Sequence, residues 1–216
     1  MTEGTPISRP TTISTLVKNT SFLTKPVFWE IACSDPQRFS QLHVERELEA
    51  QILKFKEFTG YLPDFVDSHN HAHVATENIV KAFCKICMKY SVSRTRLPIQ
   101  VRISATSQNP FYDIVSECSL KARNLIESSF LEVPKFLGLH LMGKDLSVDR
   151  LDKTFGIIGL NGFFDDYELM VHPGFKTLRK GGCTSEGENF DDFSKSEDRE
   201  LEMERLVSIH TYLRKL

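Results

Sequence analysis

Three histidines alternate with other residues in the stretch "VDSHNHAHV", Val66 to Val74: His69, His71 and His73, with Asp67 two positions ahead of the first. Neutral imidazole is a ligand for zinc and other divalent metals, and it exchanges protons near neutral pH. A carboxylate nearby commonly orients such a ring through its second nitrogen. In an extended chain, side chains two apart share a face. A strand through "FVDSHNHAH" therefore predicts Asp67, His69, His71 and His73 on one side, with Val66, Ser68, Asn70 and Ala72 on the other. That arrangement suits a metal or acid–base site at the end of a strand. The alternative is a solvated polar loop in which the rings do nothing together.

The other histidines divide by context. His172, in "ELMVHPG", ends an apolar strand and precedes a turn at Pro173-Gly174. A parallel sheet would bring it to the same edge as His69, where it could serve catalysis or simply hydrogen-bond a strand end. His140, in "GLHLM", is expected in the core or a barrel wall. His43 and His210 lie on helices and are expected at the surface.

Several elements must position these groups. Val44, Leu48, Ile52, Phe55 and Phe58 recur at three- and four-residue intervals, which predicts a helix from about Ser40 to Thr59 with Glu45, Glu47 and Glu49 between them. Pro36 fits a turn before it and Gly60 a stop after it. "LPDFVDSH" reads as a strand, and "TENIVKAFCKICMKY" as a second helix with Thr76 as N-cap. "SVSRTRLPIQVRI" reads as one or two short strands, "PFYDIVSECSLKARNLIESSF" as a helix and "FLGLHLMG" as a strand. "LSVDRLDKTFGIIGL" is mostly helical and ends near Gly162, and "DYELMVHPGF" is a strand. A mixed loop containing Gly181 and Gly182 leads to a closing helix in "SEDRELEMERLVSIHTYLRKL". The N-terminus, polar and rich in Thr, Ser and Pro, begins as loop. Strands alternating with helices predict an α/β domain with mainly parallel pairing.

The 216 residues, 40% of them hydrophobic, can bury a sizeable core as one domain over residues 1–216. With 26% charged residues and a formal net charge of −2, no electrostatic footprint for nucleic acid is present. No apolar run is long enough to span a membrane and no secretory signal is evident, so a cytoplasmic chain is expected. Five scattered cysteines, Cys33, Cys84, Cys87, Cys118 and Cys183, do not form a disulfide framework. Cys84 and Cys87 form a C-x-x-C pair on a helical pattern. Buried thiols are the simpler reading; a zinc module shared with the histidines is the alternative.

Taken together, "GYLPDFVDSHNHAH", "ELEAQILKFKEFTG", "RTRLP", "ELMVHPG" and "DRELEMERL" resemble the YdjC-like carbohydrate deacetylases, in the family's order and over essentially the whole chain. In that family a Pro-x-x-x-Asp-Ser-His-x-His-x-His string follows a long helix. The resemblance implies a distorted (β/α) barrel of the polysaccharide-deacetylase type, hydrolysis of N-acetyl groups from acetylated sugars, and a divalent metal, Mg2+ first and Zn2+ second. It implies that His69 is a metal ligand and Asp67 a neighbouring pocket group. His71, His73 and Arg96 would line the substrate pocket, and His172 would be a general acid or transition-state stabiliser. A homodimer is a further expectation.

The resemblance also implies a gap. The family's remaining metal ligands sit in an Asp-Asp-Phe-Gly string and a Gly-x-His string just before a Leu-Thr-Glu-Gly turn, and "MTEGTP" looks like that turn. Asp165-Asp166 and Asp191-Asp192 lie in the wrong context to replace them. The expected barrel is then N-terminally incomplete. A metal lowers the pKa of bound water and polarises the amide carbonyl, and catalytic sites usually hold it with three protein ligands. Impaired deacetylase activity is therefore expected of this chain. The alternative is a non-catalytic relic that binds sugar or a partner.

Overall fold

The computed structural model describes residues 2–99, 110–158, 166–175 and 196–214. Gly162, Asp165, Gly181, Gly182, Cys183, Asp191, Asp192 and the last four residues of "SVSRTRLPIQVRI" lie outside them. The chain divides into two compact units. One comprises Met1–Leu97, Val115–Val133 and Cys183–Ser185; the other comprises Pro98–Ile114, Pro134–Gly182 and Glu186–Leu216.

The N-terminal segment of the first unit is more ordered than a loop. A hairpin pairs β1 (Val17–Lys18) with β2 (Ser21–Phe22), and helix α1 (Lys25–Ser34) follows. Helix α2 (Gln41–Thr59) buries Val44, Leu48 and Ile52 at four-residue steps. It ends where Gly60 turns left-handed at φ 84° and donates its N–H to the Lys56 carbonyl at 2.8 Å. Helix α3 (Glu77–Lys89) starts at Thr76, whose hydroxyl accepts the Ile79 N–H at 3.4 Å. It buries Ile79, Val80, Phe83, Cys84, Ile86 and Cys87, so both thiols of the C-x-x-C pair are core groups. Helix α4 (Pro110–Glu127) lays Val115, Ser119, Ala122 and Ile126 along one buried stripe. Its turn at Leu125 accepts a hydrogen bond from the Cys84 thiol.

Parallel pairing connects these helices. Phe65 bridges to Arg94 and Arg94 to Glu132, both parallel, so α3 and α4 are crossover connections between neighbouring extended segments. In the second unit, β3 (Lys135–Leu137) pairs in parallel with β4 (Tyr167–Leu169), and helix α5 (Val148–Ile158) lies between them in sequence. Helix α6 (Asp198–Leu213) closes that unit. Its core gathers Leu137, Leu141, Leu146, Leu151, Phe155 and Ile209. The parallel α/β connectivity is as expected, although the extended pieces are two or three residues long. The described residues form no closed barrel. Among them, no helix is long and apolar enough to cross a membrane.

Glu47, which the helical pattern places among solvated carboxylates, is instead fully buried. Its two oxygens accept the backbone N–H groups of Ile7 at 3.0 Å and Ser8 at 2.9 Å, and one of them also accepts the Gln51 amide at 2.7 Å. The N-terminal segment is thus tied to α2 by charge-assisted bonds. We expect Glu47→Ala to lower the unfolding free energy by about 2–4 kcal/mol, because the Ile7 and Ser8 N–H groups and the Gln51 amide lose their acceptor. Urea denaturation checks this, and a loss below about 0.5 kcal/mol would contradict the role.

Candidate functional site

The segment that carries the alternating histidines is extended only at its start. The Val66 N–H donates to the Arg94 carbonyl at 3.1 Å, and the Thr95 hydroxyl donates to the Val66 carbonyl at 2.7 Å. Beyond Ser68 the chain turns, and His69–Val74 forms 3-10 turns with Asn70 (φ 55°, ψ 25°) and His71 (φ 57°, ψ 26°) both left-handed. The expected single face of Asp67, His69, His71 and His73 is therefore corrected. The cause is local: the Ser68 hydroxyl accepts the His73 N–H at 2.7 Å, and the Ser68 carbonyl accepts the His71 N–H at 3.1 Å. These bonds replace those a strand would make. Left-handed residues other than glycine cost on the order of 1–3 kcal/mol each, least for types such as Asn and His.

Three further contacts hold the turn. The Thr2 hydroxyl donates to the His69 carbonyl at 3.3 Å, and the Asn70 amide donates to the Thr2 hydroxyl at 3.1 Å. The Trp29 indole N–H donates to the Asn70 carbonyl at 3.1 Å. The histidines then separate by environment. His71 and His73 are buried, whereas 48% of the His69 side chain remains exposed.

His73 is a neutral hinge pin rather than an open pocket wall. Its Nε2–H donates to the Arg96 carbonyl at 2.8 Å, and the Ser68 hydroxyl donates to its Nδ1 at 2.9 Å. Its ring lies 5.1 Å from that of Phe83. Burial drives its pKa down from 6.5 to about 4. Arg96 also holds Asp67 by an ion pair at 2.6 Å, so these two expected site residues occupy each other.

Sequence reasoning missed Glu3. Its carboxylate, 13% exposed, lies 3.1 Å from His69 Nε2. Their separation of 66 positions leaves no local signal; only the likeness of "MTEGTP" to the family's turn pointed there. With Nε2–H donated to Glu3, His69 Nδ1 carries the lone pair. It is then the atom that can take a proton or a metal. A metal needs more: no three His, Cys, Asp or Glu side chains gather to hold one among the described residues. His69 and Glu3 are two donors engaged with each other, so these residues do not by themselves fit a divalent ion. Nor do Cys84 and Cys87 form a zinc module with the histidines. Burial pushes both thiols up, Cys87 to about 12, which keeps it from acting as a thiolate.

His172 belongs to the second unit. It is exposed, three residues beyond β4, and its N–H donates to Glu202 at 2.9 Å. His140 is buried there as expected, with Nε2 3.2 Å from the Thr154 hydroxyl. Burial lowers its pKa to about 4. His210 is exposed, whereas His43 is half-buried with Nδ1 3.0 Å from the Thr15 hydroxyl.

Parallel α/β crossovers with a strained, histidine-bearing turn where an extended segment ends place the molecule among α/β proteins that present a site on such a rim. The chain belongs to the YdjC-like protein family, which matches it over residues 1–212. It is 29% identical over 237 residues to a carbohydrate deacetylase of Danio rerio, covering 95% of this chain and 72% of that protein. It is 31% identical over 183 residues to one of Xenopus laevis (76% and 58%) and 29% identical over 220 residues to one of Homo sapiens (96% and 66%). Part of each relative's length is unmatched, more than two fifths in the Xenopus protein.

The buried His73 makes stability pH-dependent with a defined sign. Its folded pKa, about 4, lies below the ordinary 6.5, so the unfolded chain takes up the proton first. The contribution is fully present above pH 6.5 and is lost as pH falls toward 4. At 1.36 kcal/mol per unit over 6.5 − 4 = 2.5 units, the loss is roughly 3 kcal/mol. We expect His73→Gln to be less stable at pH 7.5 yet to decline less steeply between pH 6.5 and 4. Equal slopes in melting curves of the two proteins would show that His73 does not titrate this way.

Proposed function

We propose that the chain is a carbohydrate deacetylase, a hydrolase that removes acetyl groups from N-acetylated sugars, with residues 1–216 acting as one domain. The observation that carries this is the family match over residues 1–212, joined to relatives named for that activity. The exposed His69–Glu3 pair supports it as a group able to do acid–base work. Glu3 holds Nε2–H and orients the ring, so Nδ1 accepts a proton from the water attacking the acetyl carbonyl. The C–N bond then breaks, a proton goes to the departing amine, and acetate leaves. For His172, in the second unit, a general-acid role is proposed on its own account. Asp67 and Arg96, held as an ion pair beside the turn, supply polar contacts for sugar hydroxyls, and His71 and His73 set the turn's shape. Magnesium or zinc bound through His69 would require donors beyond those the described residues gather. A cytoplasmic place of action and a homodimer belong to the same proposal.

That donor set also favours a second reading: a non-catalytic protein that binds acetylated sugars or a partner. Acetate release from N-acetylglucosamine oligomers separates the two, measured with added Mg2+, with Zn2+ and with chelator. Deacetylation is expected to fall about 100-fold or more in His69→Ala, the scale of lost acid–base catalysis. Turnover unchanged in that variant would count against the active-site assignment. Calorimetric sugar binding with neither turnover nor metal affinity would establish the second reading.

A further inference from the structure

Glu202 sits on α6 with no exposed surface, a carboxylate where the helix faces its core alongside Ile209. Its Oε2 accepts the His172 N–H at 2.9 Å, its Oε1 has no hydrogen-bond partner among the described residues, and the nearby Gly143 amide favours its charged form. These two amides belong to different loops. Gly143 opens the 3-10 turn Gly143–Asp145, which follows β3, and His172 lies in the segment that follows β4. Since β3 and β4 are parallel neighbours, both loops leave the same edge of the sheet, the edge at which α/β proteins place ligands.

The surroundings of Glu202 repeat the pattern. Arg199, one turn earlier on α6, donates Nε–H to the His172 carbonyl at 3.3 Å, and its own carbonyl accepts the Gly174 N–H at 3.3 Å. A Cβ added to Gly174 would meet the Arg199 guanidinium at 2.5 Å, so helix and turn are in direct contact. Arg205 donates to the Lys144 and Leu146 carbonyls of the other loop. One face of α6 therefore grips both loops through their backbones, and the His172 ring remains exposed.

We propose that Glu202 is a positioning residue that fixes the His172–Gly174 turn against the Gly143 turn, and so sets the direction of the His172 imidazole. A buried carboxylate suits this task because backbone N–H groups offer it short, directional, charge-assisted bonds that a packed apolar residue could not make. The cost of burying it is visible, since desolvation raises its pKa while the two backbone N–H groups oppose that rise. The consequence for catalysis rests on the role proposed above for His172; the backbone clamp itself does not.

The test compares Glu202→Leu and Glu202→Gln with the unaltered full chain. Proton–nitrogen NMR reads the His172 amide directly, because a hydrogen bond to a carboxylate moves its proton downfield. In Glu202→Leu that resonance should return upfield, and kcat for sugar deacetylation should fall about 10- to 100-fold with KM within about two-fold. Glu202→Gln, which keeps one acceptor oxygen, should restore most of both. An unmoved His172 amide in Glu202→Leu overturns the clamp. A moved amide with unchanged kcat upholds the clamp and overturns its catalytic consequence, together with the part given to His172. If Glu202→Leu does not fold, hydrogen exchange in the unaltered chain decides: a His172 amide that exchanges as fast as an open loop overturns the proposal.

Discussion

The molecule's candidate site depends on a neutral imidazole held in a dry place. His73 bridges the Ser68 hydroxyl and the Arg96 carbonyl, and the Ser68 bond does not survive protonation because Nδ1 would become a donor. Those two bonds connect the end of one extended segment to its parallel neighbour. Between Ser68 and His73 the backbone has to reverse within a few residues, and it does so through two left-handed residues. The strain is tolerable because its carbonyls and amides are claimed from several sides, by Thr2, Trp29 and Ser68. What emerges is one exposed ring, His69, on a turn that cannot easily move.

This explains why a period-two pattern misled. Alternation predicts a shared face only while the backbone stays extended. Ser68 offers the chain a competing set of bonds, and Asn70 and His71 are residue types that accept a left-handed conformation. The same nine letters therefore encode a turn that sorts its histidines by burial. The long helices were legible for the opposite reason. In α2 and α3, apolar spacing, an N-cap threonine and a terminal glycine all agree with the tertiary packing. Helix α1 went unread although "TKPVFWE" carries the Pro-near-the-start signal, because the polar residues ahead of it suggested loop. The parallel pieces were legible in order but not in length, since two or three paired residues leave hardly any periodicity.

The carboxylates show the sharper limit. Glu3, Glu47 and Glu202 are spread through the chain with nothing around them in sequence to mark them off from solvated acids. In the fold each serves a separated partner: Glu3 the His69 ring, Glu47 the amides of Ile7 and Ser8, Glu202 the amide of His172. Helical periodicity treats a glutamate on the apolar stripe as noise. A carboxylate placed there is instead evidence that backbone donors from elsewhere arrive to meet it, since an unpaired buried charge would cost several kcal/mol. Position on the stripe is legible; the identity of the donors is not, because it depends on contacts 30 to 40 residues away.

A shared logic then links both units. In each, a histidine stands exposed just past a short parallel segment, and a buried or half-buried carboxylate approaches it from a distant element. The two carboxylates act at different points. Glu3 touches the His69 ring and so selects which nitrogen holds the proton, a chemical effect. Glu202 touches the His172 backbone and so selects direction, a geometric one. Imidazole chemistry needs both kinds of control, because a ring with the right tautomer but the wrong direction cannot reach a leaving group. A protein with such short paired strands has little sheet rigidity to supply that direction. Buried carboxylates that pin turns by their backbones are a compact substitute.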